Sequence, residues 1–416
     1  MEKTYTLGSL FDGSGGFGLA GALCGITPVW ASEVEPYPIA VTTSRFPNMK
    51  HYGDVSKVNG AEVEPVDIIT FGSPCQDMSI AGKRAGLKHE SKGDDETTLS
   101  GLFMEAIRII KEMRKATNGK YPRFAIWENV TGAFSSNKGE DFRVVLEELI
   151  RIKEPSAAMP PVPRGGWNYA DCYRGDGWSL AYRTFDAQYW GVPQQRRRIY
   201  LVFDFAGQCA GDILFKRTGL SGNFEQGSQT WQGSSGDTEE GVTYAVRILG
   251  TVKAEGKTPC LQARMGTGGN QVPLCFGIGN GQVNEAMSLT YEKAKTLNTM
   301  HDAEAILQCA AVGCRNRTVR RLTPTECARL QGFPDEWGHP IKKDSFSDEE
   351  YEFWHEVKNT HESIAGKIPK KYKKKQLLNW YNKLHTDSSE YKMWGNGIAL
   401  PCALYCMEGI KESLMN

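Results

Sequence analysis

No apolar run in the chain reaches the length needed to cross a bilayer, which excludes a helical membrane span. The N-terminal MEKTYTLGSLFDG lacks the basic-then-apolar pattern of a secretory signal, so a cytoplasmic location is expected. Excess charge is also missing: 49 basic and 49 acidic side chains cancel. Net charge therefore does not draw the molecule to polyanions, and any nucleic acid must be held by local patches. Eleven cysteines are scattered over 416 residues. Neither Cys309/Cys314 nor Cys402/Cys406 has a second pair, or a pair of histidines, at zinc spacing, so reduced thiols and no metal are expected.

What is present is a regular alternation of short β-branched runs and helical stretches. Tyr5 to Leu10 precedes Phe17 to Cys24, Val29 to Ser32 precedes Pro38 to Arg45, and Val66 to Phe71 precedes Thr97 to Lys115. The pattern continues with a strand at Phe124 to Trp127, a helix at Asp141 to Lys153, and strands at Ala181 to Ala187 and Ile199 to Phe203. Such alternation predicts a doubly wound α/β sheet. From about 205 to 317 glycine becomes frequent, apolar runs shorten and no helix is expected before Glu285, which predicts a second, smaller domain of loops and short strands. Regular structure returns at the capping box Thr323-Pro324-Thr325-Glu326, and Ser347 with Glu350 marks another helix start. The run KIPKKYKKK at 367–375 reads either as a solvated surface or as a hold on a phosphate backbone.

Chemistry is concentrated at strand ends. The segment FDGSGGFG at 11–18 lies between a strand and a helix, where glycines let the backbone turn tightly and approach a ligand. Glu33, ending the next strand, is placed to accept from ribose hydroxyls, and Asp54 in Gly53-Asp54-Val55 to accept from an adenine amino group. Taken singly, each is a helix cap or a solvated carboxylate. Three such features at the carboxyl ends of successive strands indicate a nucleotide-like ligand. After the apolar strand through Phe71 comes Gly72-Ser73-Pro74-Cys75-Gln76, followed by a loop with Gly82 and Gly86. A random cysteine is an inert core residue, but this strand-end position, rigid proline and polar company describe an exposed nucleophile under a moving cover. Glu128 ends another strand in Trp127-Glu128-Asn129-Val130. In Gln194-Gln195-Arg196-Arg197-Arg198, alternation puts Arg196 and Arg198 on one face and Arg197 on the other.

With these residues in order, and with RLTPTECARLQGFP at 321–334 and GNG at 395–397, the chain resembles the cytosine-C5 DNA methyltransferases of bacteria and their phages. The resemblance implies a Rossmann-like methyltransferase sheet over residues 1–204. It implies a target-recognition domain at 205–317. The rest, 318–416, is read as a support region, a lysine-rich insertion at about 338–392 and a C-terminal helix returning to the first domain. S-adenosylmethionine is the implied cofactor, with S-adenosylhomocysteine as product and no metal. Phe11, Gly13, Ser14, Gly16, Glu33, Asp54, Val55, Pro74 and Asn396 are its expected pocket. Cys75 is the implied nucleophile, Glu128 the contact to cytosine N3, and Arg198, supported by Arg196, the contact to O2.

The physical need for that set is clear. C5 of cytosine is a poor nucleophile, but a thiolate added to C6 makes an enamine, and a proton at N3 with cations at O2 lowers the barrier. Because Glu128 has to hold a proton, its site is expected to be partly desolvated. Gln76, Ser79, Lys83 and Gln194 are expected at the target nucleotide, and Thr296-Leu297 or Thr258 to Leu261 in sequence reading. Double-stranded DNA is the expected partner, the chain is expected to be a nucleoid-associated monomer, and a cognate restriction endonuclease is a functional partner if the role is restriction-modification rather than phage or solitary modification. Departures from the pattern are Val34 where an aromatic often stacks on adenine, Met78 for Phe, and Gly397 for Ser. The alternatives are a tRNA cytosine-C5 methyltransferase with the same pocket and a non-enzymatic DNA-binding protein with a degenerate fold.

Overall fold

The computed structural model describes residues 4–73, 99–215, 241–246, 252–254, 274–277 and 319–415. Its main sheet is built from β1 (Tyr5–Leu10), β2 (Ile26–Ser32), β3 (Lys50–His51), β4 (Ile68–Phe71), β5 (Phe124–Val130), β6 (Ala170–Gly175), β7 (Trp178–Asp186) and β8 (Arg197–Asp204). The strand order is β3-β2-β1-β4-β5-β8-β7-β6, with β1 to β5 parallel and the last three joined antiparallel. The β6–β7 hairpin, absent from the sequence reading, turns on Asp176-Gly177 with Gly177 at φ 67°, the left-handed conformation that a two-residue Asp-Gly turn requires.

Period-two alternation divides the strands between two cores. Ile68, Phe124, Ile126, Tyr200 and Val202 face one, with α1 (Gly16–Leu23) and the C-terminal helix; Ile69, Phe71, Ala125, Trp127, Leu201 and Phe203 face the other, with α3 (Leu99–Ala116) and α4 (Glu140–Ile150). Helices on both faces make the expected α/β architecture. α2 (Pro36–Arg45) connects β2 to β3.

One expectation is corrected here. A helix, α5 (Ala210–Phe215), forms within the stretch read as helix-free, and it buries Ala210, Ile213 and Leu214 in the first core beside β7. Three apolar side chains in six residues are enough to hold so short a helix when a sheet face receives them. The first layer thus extends past 204, at least to Phe215. Beyond it, β9 (Gly241–Val246), β10 (Val252–Ala254), β11 (Leu274–Gly277) and β12 (Val319–Arg321) form a small antiparallel sheet ordered β10-β9-β11-β12.

The C-terminal part is helical: α6 (Pro324–Leu330), α7 (Asp348–Ile364), α8 (Lys374–Tyr381), α9 (Asp387–Asn396) and α10 (Leu400–Met415). The capping boxes at Thr323/Glu326 and Ser347/Glu350 both form. α10 returns to the main sheet and packs on α1 and α5, and the Tyr5 hydroxyl donates to the Leu414 carbonyl. α7 and α8 carry a small core of their own, in which Phe346, Trp354, Val357, Leu377 and Tyr381 close on Ile39 and Ala40 of α2. Among the described residues no helix is long and apolar enough to cross a membrane.

Candidate active site

The loops after the first three strands are tied together at one sheet edge. Asp12 N–H donates to the Ser32 carbonyl at 3.2 Å, and the Ser32 hydroxyl to the Gly53 carbonyl at 2.7 Å. Phe11, Gly13 and Gly15 take positive φ, 56°, 54° and 73°, so the chain turns sharply before α1. Glycine at 16 is required by packing, since a Cβ there would stand 2.6 Å from Ile398. The Glu33 carboxylate accepts from the N–H groups of Gly13 (2.8 Å), Val34 (2.8 Å) and Glu35 (2.9 Å). Burial nevertheless pushes its pKa up, with those three amides opposing. Asp54 caps the short turn that begins at Val55, accepting from Ser56 N–H at 3.0 Å, and Val55 is buried beneath it.

These residues fit an adenosine-bearing cofactor. A Cβ added at Gly53 would meet nothing within 4 Å and one at Gly13 nothing nearer than 3.9 Å, so bare backbone borders open space. A cavity of about 180 Å³ lies beside Glu33, Val34 and Gly53. The carboxylates of Asp12 and Glu33 line this edge and call for donors such as ribose hydroxyls or an amino group. Asp12 was not among the residues singled out in the sequence. Burial pushes its carboxyl up to about 7, with the Ser9 hydroxyl opposing and the Glu33 charge adding. The signal was its place inside the glycine-rich turn.

The far side of this loop is held by residues distant in sequence. Trp337 donates to the Ser14 carbonyl at 2.8 Å, and Gly397 packs so closely that a Cβ there would lie 3.1 Å from both Ser14 Oγ and Gln331 Oε1. Asn396, between the two glycines, is exposed at the end of α9. The Gln331 side-chain amide donates to the Trp394 carbonyl, and Leu400 N–H to the Gln331 carbonyl at 2.9 Å, which fixes the turn between α9 and α10.

The second group of residues stands at the ends of β4, β5 and β8. Alternation puts Glu128 on the same sheet face as Phe124 and Ile126, and Arg198 on the face of Tyr200, so the two meet across the antiparallel β5–β8 pair. The Arg198 Nε lies 3.2 Å from Glu128 Oε1. Burial raises the Glu128 pKa, while the Arg198 and Arg196 charges lower it. Gly72, the first residue after β4, lies against this carboxylate: a Cβ there would be 3.3 Å from Glu128 Oε2. Ser73 follows, and its hydroxyl accepts from Trp127 Nε1 at 3.4 Å.

Arg196 is 2% exposed and donates to the carbonyls of Gly395 and Gly397, joining the basic segment to the α9–α10 turn. Arg197, on the opposite face, is paired with Asp186 at 3.2 Å. The Gln194 side chain is fully buried, and neither its oxygen nor its nitrogen has a hydrogen-bond partner among the described residues. Pro74, Cys75, Gln76, Ser79, Lys83, Thr258 to Leu261, Thr296 and Leu297 lie outside the described residues.

Comparison with known proteins gives the family. The family described as C-5 cytosine-specific DNA methylase matches residues 5–153 and 211–354. A DNA N-6-adenine-methyltransferase of Escherichia phage P1 is 25% identical over 99% of this chain and 62% of its own length. The type II methyltransferase M.BsuFI of Bacillus subtilis is 28% identical over 46% of the chain and 37% of its own length, and M.HhaI of Haemophilus parahaemolyticus is 27% identical over 81% and 86%. The chain thus spans less than two thirds of the first two of these relatives. The S. pombe Dnmt2 methyltransferase structure shares the fold, with a TM-score of 0.52 at 15% identity over 99% of both chains. On the family match, which covers more than half of its length, the chain belongs to the C-5 cytosine-specific DNA methylases.

Proposed function

We propose that the chain is a site-specific DNA cytosine-C5 methyltransferase using S-adenosylmethionine. The observation that carries the reading is the buried Glu128 paired with Arg198 at 3.2 Å, directly against Gly72, which follows β4. Three residues further along the sequence stands Cys75. In this reading a cytosine is rotated out of the duplex, at a cost of a few kcal/mol. The Cys75 thiolate adds to C6, Glu128 holds a proton at N3 and Arg198 faces O2, so electron density accumulates at C5. The cofactor, when bound, supplies a methyl group on a sulfonium centre. The C5 proton is then lost to a base, water or a side chain, and the thiolate departs from C6.

Glu33 and Asp54 hold the cofactor's ribose and adenine, and Phe11, Gly13, Ser14, Gly16, Val55, Pro74 and Asn396 complete its pocket. Arg196 supports Arg198 by fixing the Gly395–Gly397 turn. Gln76, Ser79, Lys83 and Gln194 face the target nucleotide. The glycine-rich segment, which starts after α5, reads the major groove with Thr296-Leu297 or Thr258 to Leu261. The protein works as a monomer on double-stranded DNA in the cytoplasm, and a cognate restriction endonuclease accompanies it in a restriction-modification setting.

The test is incubation with cofactor and duplex DNA in which 5-fluorocytosine replaces cytosine. Fluorine blocks release at C5, so a DNA adduct on Cys75 is expected to accumulate and to be lost in Cys75→Ser. Nucleoside analysis of normal DNA is expected to give 5-methyldeoxycytidine. N6-methyldeoxyadenosine without any adduct would overturn the assignment, because methylating an exocyclic amine needs no covalent nucleophile.

A further inference from the structure

The cavity beside Glu33 is walled on its outer side by the insertion. Glu33, Val34 and Gly53 come from the loops after β2 and β3, while Phe353, Val357 and Thr360 come from α7. Residues 353, 357 and 360 are spaced i, i+4 and i+7, so a single stripe of the helix faces the cavity. This placement is held by Trp354, buried in the same small core as Ile39 and Ala40 of α2, the helix that leaves from the Glu33 loop. The Phe353 ring is half-buried and lies 6.1 Å from the ring of His51, which ends β3. The cavity is therefore bordered by the rings of His51, Tyr52 and Phe353, by small apolar side chains such as Val34, and by two carboxylates, Glu33 and Glu356.

Its size limits what it takes. At about 180 Å³ it falls below the roughly 300–1,000 Å³ that encloses a whole drug-sized ligand, so it suits one planar ring system with the remainder of the ligand outside. An apolar and aromatic wall favours the face of a heteroaromatic base, and Glu33 at the rim suits hydroxyl donors attached to it. We infer that α7 is a structural part of the cofactor pocket, with Phe353 forming the wall against the adenine ring. The aromatic surface that Val34 does not offer on the loop after β2 is supplied from the insertion. This inference rests on the methyltransferase reading and gives the segment 338–392 a role in cofactor binding.

Titration calorimetry of the full chain with S-adenosylhomocysteine tests it. Phe353→Ala is expected to raise Kd about tenfold, with the melting temperature of the ligand-free protein within a few degrees of the unsubstituted chain, and Phe353→Trp to retain affinity. Thr360→Phe fills the cavity from a partly exposed helical position without removing any packing, and is expected to weaken binding at least as much. Unchanged Kd in both Phe353→Ala and Thr360→Phe would overturn the inference while leaving the methyltransferase reading intact. If Phe353→Ala unfolds the chain, Thr360→Phe alone decides, in the same sense. No binding by the unsubstituted chain would instead remove the cofactor assignment and, with it, this inference.

Discussion

Asp12 is a carboxylate in a place where ionisation is costly. Its folded pKa of about 7, against an ordinary 3.8, means that the folded chain keeps a proton the unfolded chain has released. Stability attributable to this group therefore falls as pH rises from about 4 to 7, by up to about 4 kcal/mol. Asp12→Asn is expected to melt higher than the unsubstituted chain at pH 8, and the gap is expected to shrink towards pH 4. A gap independent of pH, read from thermal melts across that range, would show that Asp12 is not held protonated. The same contrast shows what a residue's sequence context reveals. Glu128 stood out in the sequence as a candidate carboxylate because it follows an apolar run, and the structure buries it, which raises its pKa. Asp12 was passed over although it sits in a motif, because a run of glycines does not say which neighbouring side chain is turned inward.

At the scale of elements, strands and caps follow from local rules. β-branched runs and the Thr323 and Ser347 capping boxes are written in adjacent residues, and each forms where expected. The turn from α9 to α10 is different. It is held by Arg196 and Gln331, 199 and 63 residues away from their respective partners Gly395 and Trp394, and it presses Gly397 on Ser14. No local pattern announces such a contact. Gly397→Val is expected to push this turn off the glycine-rich loop, destabilising the chain by about 1–3 kcal/mol. It should also weaken S-adenosylhomocysteine binding several-fold while DNA binding is retained. Calorimetry and thermal melts read both effects, and equal affinity with equal Tm would show that the turn tolerates a side chain at 397.

For the whole molecule, the proposal assigns catalysis to the main sheet, with its helices, and sequence reading to the glycine-rich segment after α5. Replacing residues 216–318 with the corresponding segment of another family member is expected to change which sites are methylated. Sequencing after bisulfite treatment reads this directly. Retention of the original sites would place recognition in the main layer or in the 338–392 insertion. That insertion packs on α2 and lines the cavity beside Glu33, the proposed cofactor pocket, so a swap leaving it untouched is expected to preserve cofactor affinity.

The alternation of strands and helices, the residues at strand ends and the order of the motifs are properties of the linear chain, because periodicity of 2 or 3.6 and a strand-end position need only neighbours along the backbone. The pairing of Glu128 with Arg198, the anchoring of Arg196 on the Gly395–Gly397 carbonyls, the burial that lifts Asp12 and the arrival of α7 beside Glu33 were decided by tertiary structure alone. Each depends on which elements of an eight-stranded sheet become neighbours and how much water they exclude, and both are set by packing across tens to hundreds of residues.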